Sequence, residues 1–595
     1  MPEPLPDRLY EPAPGERQLS VRAVLAGIVV GGVLSAMDVY LGLRLGITAV
    51  GSSLVGAVLA YALFAALRPK SPLSVLETNI AQTTASGAGT MAAAAGLVAP
   101  IPALAMLGHK LPLHGLLLWA LSIAYLGSLV AVPLRRRYIV VERLRFPTGT
   151  AAAGTILAMA GRKGETLAQA RALLRFGGGA AVFVLAAYFV RPLEEPPIAA
   201  LGLAVLAKWA FFPTLSPVMV GVGLLIGPRV GASLLAGAVV AWGALGPVAS
   251  RLGWAPGPVM SMTSGPRGWL LWVGVAIMLA EGMTTLALSW RSLAAGLAGV
   301  LGWGRGGGPG ASEPLGGDEV PRWWWLGGLG LATAAAILLG WLFFGVHPLL
   351  GLVAVALSLV LAQVAVRCAG ETDLNPMRMM VSVTQLVFGA IAPGAVRTNL
   401  TAAAVTSAGA AQAGDMMQDF RTGHLLGASP RKQFIAQLWG IGAGVLFCVP
   451  AYYLFARAFT IGEGELPAPA AHAWRAVAEL LARGPGALPG SALWPVLAGA
   501  LFGAALPLLQ ACSPRLRPYL PSGLAFGLAF LVPAQLSLTI FLGALVLVGW
   551  RACRPAQWER LGQVVACGLI AGESVAGVLR AALQLCGVRP LVGGG

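Results

Sequence analysis

The sequence predicts an all-α polytopic membrane protein of about 14 to 16 crossings, several of them broken or re-entrant, with a two-fold internal repeat as an open question. Three observations carry this reading. Of 595 residues, 57% are hydrophobic and only 11% are charged, against about 25% charged in a typical soluble protein. Roughly 340 apolar residues, at about 20 per crossing, set a ceiling of about 17 helices. The net charge of +17 is gathered in short runs between apolar segments: Arg135 to Arg137 with Arg143 and Arg145, Arg162 to Arg175, Arg421 to Lys432, and Arg515 with Arg517. Such runs mark cytoplasmic loops, so the basic balance points to a lipid bilayer and not to nucleic acid.

The tail over residues 1–18 is polar and Pro-rich and lacks the pattern of a signal peptide, which places it in the cytoplasm. Leu19 to Leu43 and Gly46 to Leu67 read as two spans that return the chain to Arg68 and Lys70. Ser74 to Leu107 is long enough to cross, but its first half is Thr, Ser, Gly and Ala, a composition that faces protein or water. Leu113 to Leu134 crosses back onto the Arg135 cluster. Arg143 to Ala160, with RFPTGTAAAGTI, reads as a broken or re-entrant half-helix. Further spans are expected within Gly177 to Val190, Ile198 to Phe212, Pro217 to Val248 and Gly268 to Trp290.

A Gly/Pro-rich linker over 302–321 divides a first transmembrane half, 19–301, from a second, 322–595. Beyond it, spans are expected at Trp323 to Phe344 and Pro348 to Cys368, followed by a polar, small-residue region from Gly370 to Thr422. Gln433 to Phe459 crosses again, and a short amphipathic helix lies around His472 to Arg483. Trp494 to Leu509, Leu520 to Val532, Ala534 to Trp550 and Leu561 to Leu585 complete the bundle. Thr78, Asn79, Ala88 and Gly89 echo Thr398, Asn399, Ala408 and Gly409 at a constant offset. That is either a structural repeat or a coincidence of biased composition.

Ionisable and amide groups inside apolar segments are functional candidates by default, because each costs at least ~2.5 kcal/mol at the bilayer centre. On one helical face Asp415, Gln418, Asp419 and Thr422 follow i, i+3, i+4 and i+7 spacing, with Gln412 close by. A cytoplasmic helix end pairing with Arg421, Arg431 and Lys432 is the competing explanation. A second stripe holds Asn79, Gln82, Thr83, Ser86 and Thr90, preceded by Glu77. Its alternative is close packing with hydroxyls bonded to their own backbone. A third, Asn375, Arg378, Ser382 and Gln385, follows Glu371 and Asp373, and Pro376 is expected to break the helix there. Asp38 pairs with Arg44 in a structural or a functional role, and Glu281 and Glu573 either carry protons or form a salt bridge to a neighbouring helix.

The six cysteines form no C-x-x-C and the five histidines show no metal-ligand spacing, so neither a disulfide framework nor a bound metal is expected. None of the five lysines follows glycine, which excludes a P-loop, and there is no G-x-S-x-G elbow or H-E-x-x-H helix. An enzyme is not expected, nor is a cofactor.

The segments that carry these stripes, VYLGLRLGIT (Val39 to Thr48), LETNIAQTTASGAG (Leu76 to Gly89), RFPTGTAA (Arg145 to Ala152), GETDLNPMRMMVSVTQLVFGAI (Gly370 to Ile391) and TNLTAAAVTSAGAAQAGDMMQDFRTGHLLGASPRKQF (Thr398 to Phe434), together resemble the oligopeptide transporter family. The last block is nearest to its yellow-stripe-like branch and prokaryotic relatives. The resemblance implies proton-coupled import of short peptides, or of metal held by a small amino-acid-derived chelator. It places Asp415, Gln418 and Asp419 in an acidic block, Glu77, Asn79, Gln82 and Thr84 in an N-terminal block, and Glu371, Asp373 and Asn375 in a central one. Asp38 stands where Asn is usual and Arg378 where a small residue is usual, and the extra cation favours a carboxylate-bearing solute. The candidate site is therefore Glu77, Asn79, Gln82, Thr83, Thr84, Glu371, Asp373, Asn375, Arg378, Gln385, Asn399, Gln412, Asp415, Gln418 and Asp419.

The expected function is symport by alternating access, with a proton on Asp415, Glu77 or Glu371, in a bacterial inner membrane with the N-terminus inside. A homodimer is the assembly to test. The competing reading is a passive channel lined by the same acids.

Overall fold

The computed structural model describes residues 8–48, 72–161, 163–194, 202–288, 318–372, 377–513 and 518–588, with the isolated positions 59, 290, 515 and 516. In chain order the α-helices of seven residues or more are α1 (Val21–Leu45), α2 (Val75–Gly89), α3 (Pro100–Met106), α4 (Leu113–Arg135), α5 (Pro147–Gly161) and α6 (Lys163–Phe189). There follow α7 (Pro217–Ala238), α8 (Pro266–Leu288), α9 (Arg322–Phe344), α10 (Pro348–Thr372), α11 (Met377–Ile391) and α12 (Val396–Leu425). The series closes with α13 (Pro430–Ala458), α14 (Pro469–Arg483), α15 (Leu493–Cys512), α16 (Gly523–Leu531), α17 (Ala534–Cys553) and α18 (Pro555–Leu585). Among the described residues eleven helices are long and apolar enough to cross a bilayer, and no strand is present.

The chain is an all-α polytopic membrane protein, and its breaks fall where the sequence supplies breakers. α2 stops after fifteen residues, and a short turn of helix and α3 complete the stretch expected as a single span. In α7, Gly227 takes φ 80 and ψ 174 just before Pro228, splitting the helix in two. α16 is only nine residues and ends before Pro533, too short to cross where a full span was expected. Within 198–212 the described residues hold only the helix Ala204–Lys208, which closes on Lys208 ahead of Pro213. The span expected over 46–67 and most of the linker lie outside the described residues, as do Asp373 and Asn375.

Two compact units form, and they interleave along the chain. Unit 1 comprises Met1–Ala170 and Ser289–Tyr453, and unit 2 comprises Arg171–Leu288 and Leu454–Gly595. Each unit therefore draws a segment from either side of the linker. The two segments of the echo, in α2 and α12, both belong to unit 1 and pack against each other.

In unit 1, α12 is the hub: α2, α3, α4, α5, α10 and α11 all pack on it. Every residue from Thr398 to Gly423 is buried except Asp415, although the segment is rich in Thr, Ser, Gln and Asp. A helix polar on all sides is stable inside a bilayer only when protein surrounds it. The bulky apolar side chains face outward on α9, where Trp323 is 73% exposed and Leu331 74%. In unit 2, α7 packs on α16, α17 and α18, and α8 packs on α15 and α16.

Candidate functional site

The N-terminal end of α2 is fixed first. Ser74 accepts from the Glu77 N–H (3.1 Å) while the Glu77 carboxylate accepts from the Ser74 N–H (3.1 Å), a capping box. Glu77 also accepts from the Ser20 hydroxyl (2.7 Å) and pairs with Arg22 at the start of α1. Its lone pairs are thus engaged in joining α1 to α2.

One turn further on, an oriented amide chain runs into α12. The Asn79 amide donates to Gln82 Oε1 (3.4 Å), and Gln82 Nε2 donates to Asp419 Oδ1 (2.5 Å). A carboxylate only accepts, so Asp419 fixes the orientation of Gln82, and Gln82 in turn fixes that of Asn79. Gln433 of α13 donates to the backbone oxygen of Asp419 (2.8 Å) and to the Thr83 hydroxyl (3.4 Å). Gln418 accepts from the Gly149 N–H at the start of α5 (2.7 Å), and the Thr422 hydroxyl donates to the Gly149 oxygen (2.9 Å). α5 is held by its first turn because glycine there lets the two backbones meet. A Cβ on Gly149 would collide with the Gln418 backbone.

The middle tier centres on Gln412 and Asp415. Gln412 Nε2 donates to the Thr90 hydroxyl (3.1 Å), and its oxygen receives Ser128 and Gln437 Nε2, each at 3.4 Å. Thr90 also reaches the Asp415 side chain. At the far end of α12, Asn399 donates to the Gln385 backbone oxygen (2.7 Å), and Thr384 meets Thr406 (2.8 Å). Asn79, Asn399, Gln433 and Gln437 each keep one buried carbonyl oxygen without a hydrogen-bond partner. These four acceptors are complemented by a solute or water presenting N–H or O–H groups.

The structure brings together Asn79, Gln82, Thr83, Gln412, Asp415, Gln418 and Asp419, while Thr84 turns its hydroxyl to the Ile80 oxygen (2.9 Å). Glu371 lies apart, at the exposed end of α10, paired with Arg367 (3.0 Å). Arg44 bonds the Tyr40 hydroxyl (2.5 Å). Glu573 accepts from the Val218 N–H (2.7 Å) and Glu281 from the Gly523 N–H (2.8 Å), so each carboxylate caps the positive N-terminus of a neighbouring helix. Sequence reasoning passed over Gln433 and Gln437. They lie four apart on α13, and the signal available was two amides at helical spacing just after a basic turn.

Beyond this cluster, a strap over residues 9–17 crosses the N-terminal end of α2 and the C-terminal end of α12. The N–H groups of Leu9 and Tyr10 both donate to the Leu425 oxygen (2.8 and 3.3 Å), and the Ser74 hydroxyl donates to the Arg17 oxygen (2.7 Å). Glu16 takes the Tyr10 hydroxyl on one oxygen (2.9 Å) and the Leu76 N–H on the other (3.3 Å). Burial and then the Glu16 carboxylate raise the Tyr10 phenol above its ordinary pKa, so it stays a donor. Strap, α2 and α5 line an open pocket of about 440 Å³ bordered by Tyr10, Glu16, Ser74, Thr78, Ile156 and Ala160.

Comparison with known proteins agrees with this architecture. The family model for the OPT oligopeptide transporter protein matches residues 18–584. A Saccharomyces cerevisiae protein assigned as an oligopeptide transporter is 26% identical over 96% of this chain and 96% of its own length. The metal-nicotianamine transporter YSL2 of Arabidopsis thaliana is 26% identical over 98% of this chain and 95% of its own. A rice protein assigned as a metal-nicotianamine transporter, YSL14, is 28% identical over 79% of this chain and 69% of its own. With a family match over nearly its whole length and a polar helix buried in a bundle of membrane spans, the chain belongs to the oligopeptide transporter family, whose members are transporters and not enzymes.

Proposed function

We propose that this chain is a proton-coupled symporter that imports short oligopeptides, or metal complexes of a small amino-acid-derived chelator, by alternating access. One observation carries the reading: Asp415 is the only half-buried residue between Thr398 and Gly423, and it stands beside the neutral amides and hydroxyls of Gln412 and Thr90. A carboxylate so placed is reachable by a proton. Once neutral, it crosses an apolar gate at far lower cost than when charged. The amides and hydroxyls around it match peptide-like groups, and the relatives are named for oligopeptide or metal-nicotianamine cargo. Glu77 and Glu371, each in an ion pair, serve this role less well. The N-terminus faces the cytoplasm in this reading, because the strap bonds Leu425 and Arg135 lies over Phe420 near the same end of α12, and the positive-inside rule assigns that basic cluster to the cytoplasm.

The test is uptake into proteoliposomes under an imposed pH gradient, comparing di- to pentapeptides with iron and nickel chelates. Asp415→Asn is expected to abolish gradient-driven accumulation while solute exchange at equal pH on both sides persists. Normal accumulation in that variant removes Asp415 from coupling. A wild-type protein that only equilibrates its solute is a passive channel.

A further inference from the structure

Arg378 is the second residue of α11, in the interior of unit 1, and it is only half-buried. Its Nη2 donates to the Gly46 carbonyl, at the left-handed residue that ends α1 (2.9 Å). No carboxylate among the described residues forms an ion pair with it. One carbonyl uses one of the five N–H donors of a guanidinium, which leaves donors over for an anion. Among the described residues Arg378 is thus a half-buried cation without an acidic partner.

Its place is set by the residue before it. Met377 Sδ accepts from the Ser407 hydroxyl (3.4 Å), which pins the start of α11 to α12. Ser407 and Asp415 are eight residues apart on that helix, a rise of about 12 Å. Met377, the neighbour of Arg378, therefore meets α12 about two turns from Asp415. The interval is about that of three extended peptide residues.

We propose that Arg378 is the anion-binding end of the cargo site: it takes a free carboxylate of the solute as a bidentate pair, while Asp415 receives the cationic or N–H-bearing end. The substrate class is then a small zwitterion with a free carboxylate, whether a peptide terminus or a chelator arm. This rests on the transport reading above and adds a polarity to it. A guanidinium matches a carboxylate with two parallel charge-assisted hydrogen bonds, which an amide in its place cannot make.

The experiment compares trialanine, trialanine amide and nickel–nicotianamine in proteoliposomes carrying wild-type, Arg378→Gln or Arg378→Lys protein. Wild type is expected to take trialanine or the chelate with a KM at least about tenfold below that of the amide. Arg378→Gln should raise the KM for the carboxylate-bearing probe by about tenfold, leave the amide unchanged and bring the ratio near one, with Arg378→Lys in between. Equal wild-type KM values for acid and amide, or an equal loss of both in Arg378→Gln, overturn the proposal alone. No uptake of any carboxylate-bearing probe overturns the transport reading with it. If Arg378→Gln fails to fold, the wild-type ratio and Arg378→Lys still decide.

Discussion

Asp415 and Asp419 are one helical turn apart on α12, and their surroundings differ sharply. Asp419 is fully buried, with Gln82 donating to it at 2.5 Å, whereas Asp415 keeps exposed surface beside Thr90. Removing a donor from a buried carboxylate costs about 1–3 kcal/mol. Gln82→Leu is accordingly expected to lower the thermal unfolding midpoint of the detergent-solubilised protein, and an unchanged midpoint would show that Asp419's other contacts suffice. Outside the spans, His472 of α14 is pushed down to about 4 by burial and by the Arg267 and Arg475 charges, against the Gly462 carbonyl it contacts at 3.1 Å. An unfolded histidine titrates near 6.5, so between about 6.5 and 4 the unfolded chain binds the extra proton. Stability should be full above that window and fall as the pH drops through it. His472→Gln is expected to flatten the fall in a pH series of unfolding midpoints. Stripes of Asn, Gln and Asp were legible because helical spacing is local. The roles of Glu281 and Glu573 were not, because the N–H groups they cap lie 242 and 355 residues away in sequence.

At the scale of elements, α2 is tightly confined. A Cβ on Gly31 of α1 would lie 2.6 Å from Ala88 Cβ and 2.8 Å from Ala85 Cα, and one on Gly444 of α13 would lie 2.6 Å from the Ala88 oxygen. Gly31→Val should therefore destabilise by about 1–3 kcal/mol, while a substitution at the outward-facing Leu331 should stay within about 0.5 kcal/mol. Thermal denaturation of both variants checks the contrast. The strap offers a second test. Glu16→Ala removes the carboxylate that ties Tyr10 to Leu76, and trypsin should then cut faster at the exposed Arg17. Long apolar spans such as α1, α9 and α10 could be read from length alone. α16 could not: LAFGLAFLV is as apolar as any span, and only Pro533 and the cap at Gly523 hold it to nine residues.

For the whole chain, composition marks a Gly/Pro-rich linker at 302–321, and the compact units each take residues from both sides of it. Pairing within a unit is decided by side chains hundreds of residues apart, as in Gln82 with Asp419. A protease site engineered into 302–317, followed by cleavage, should leave two fragments that co-purify and unfold together, since α4 packs on both α9 and α12 across the cut. Fragments that part on a sizing column would contradict this.

The hub helix has a consequence for biogenesis. α12 is thirty residues long yet is not among the segments apolar enough to cross a bilayer by themselves, so an insertion machine that sorts segments by partitioning into lipid would tend to pass it by. Its packing partners α2, α3, α4, α5, α10 and α11 precede it in the chain, while α13, whose Gln433 and Gln437 bond to it, follows. The first six are synthesised ahead of it, so this polar helix enters the membrane against a protein cradle largely made, which α13 then completes.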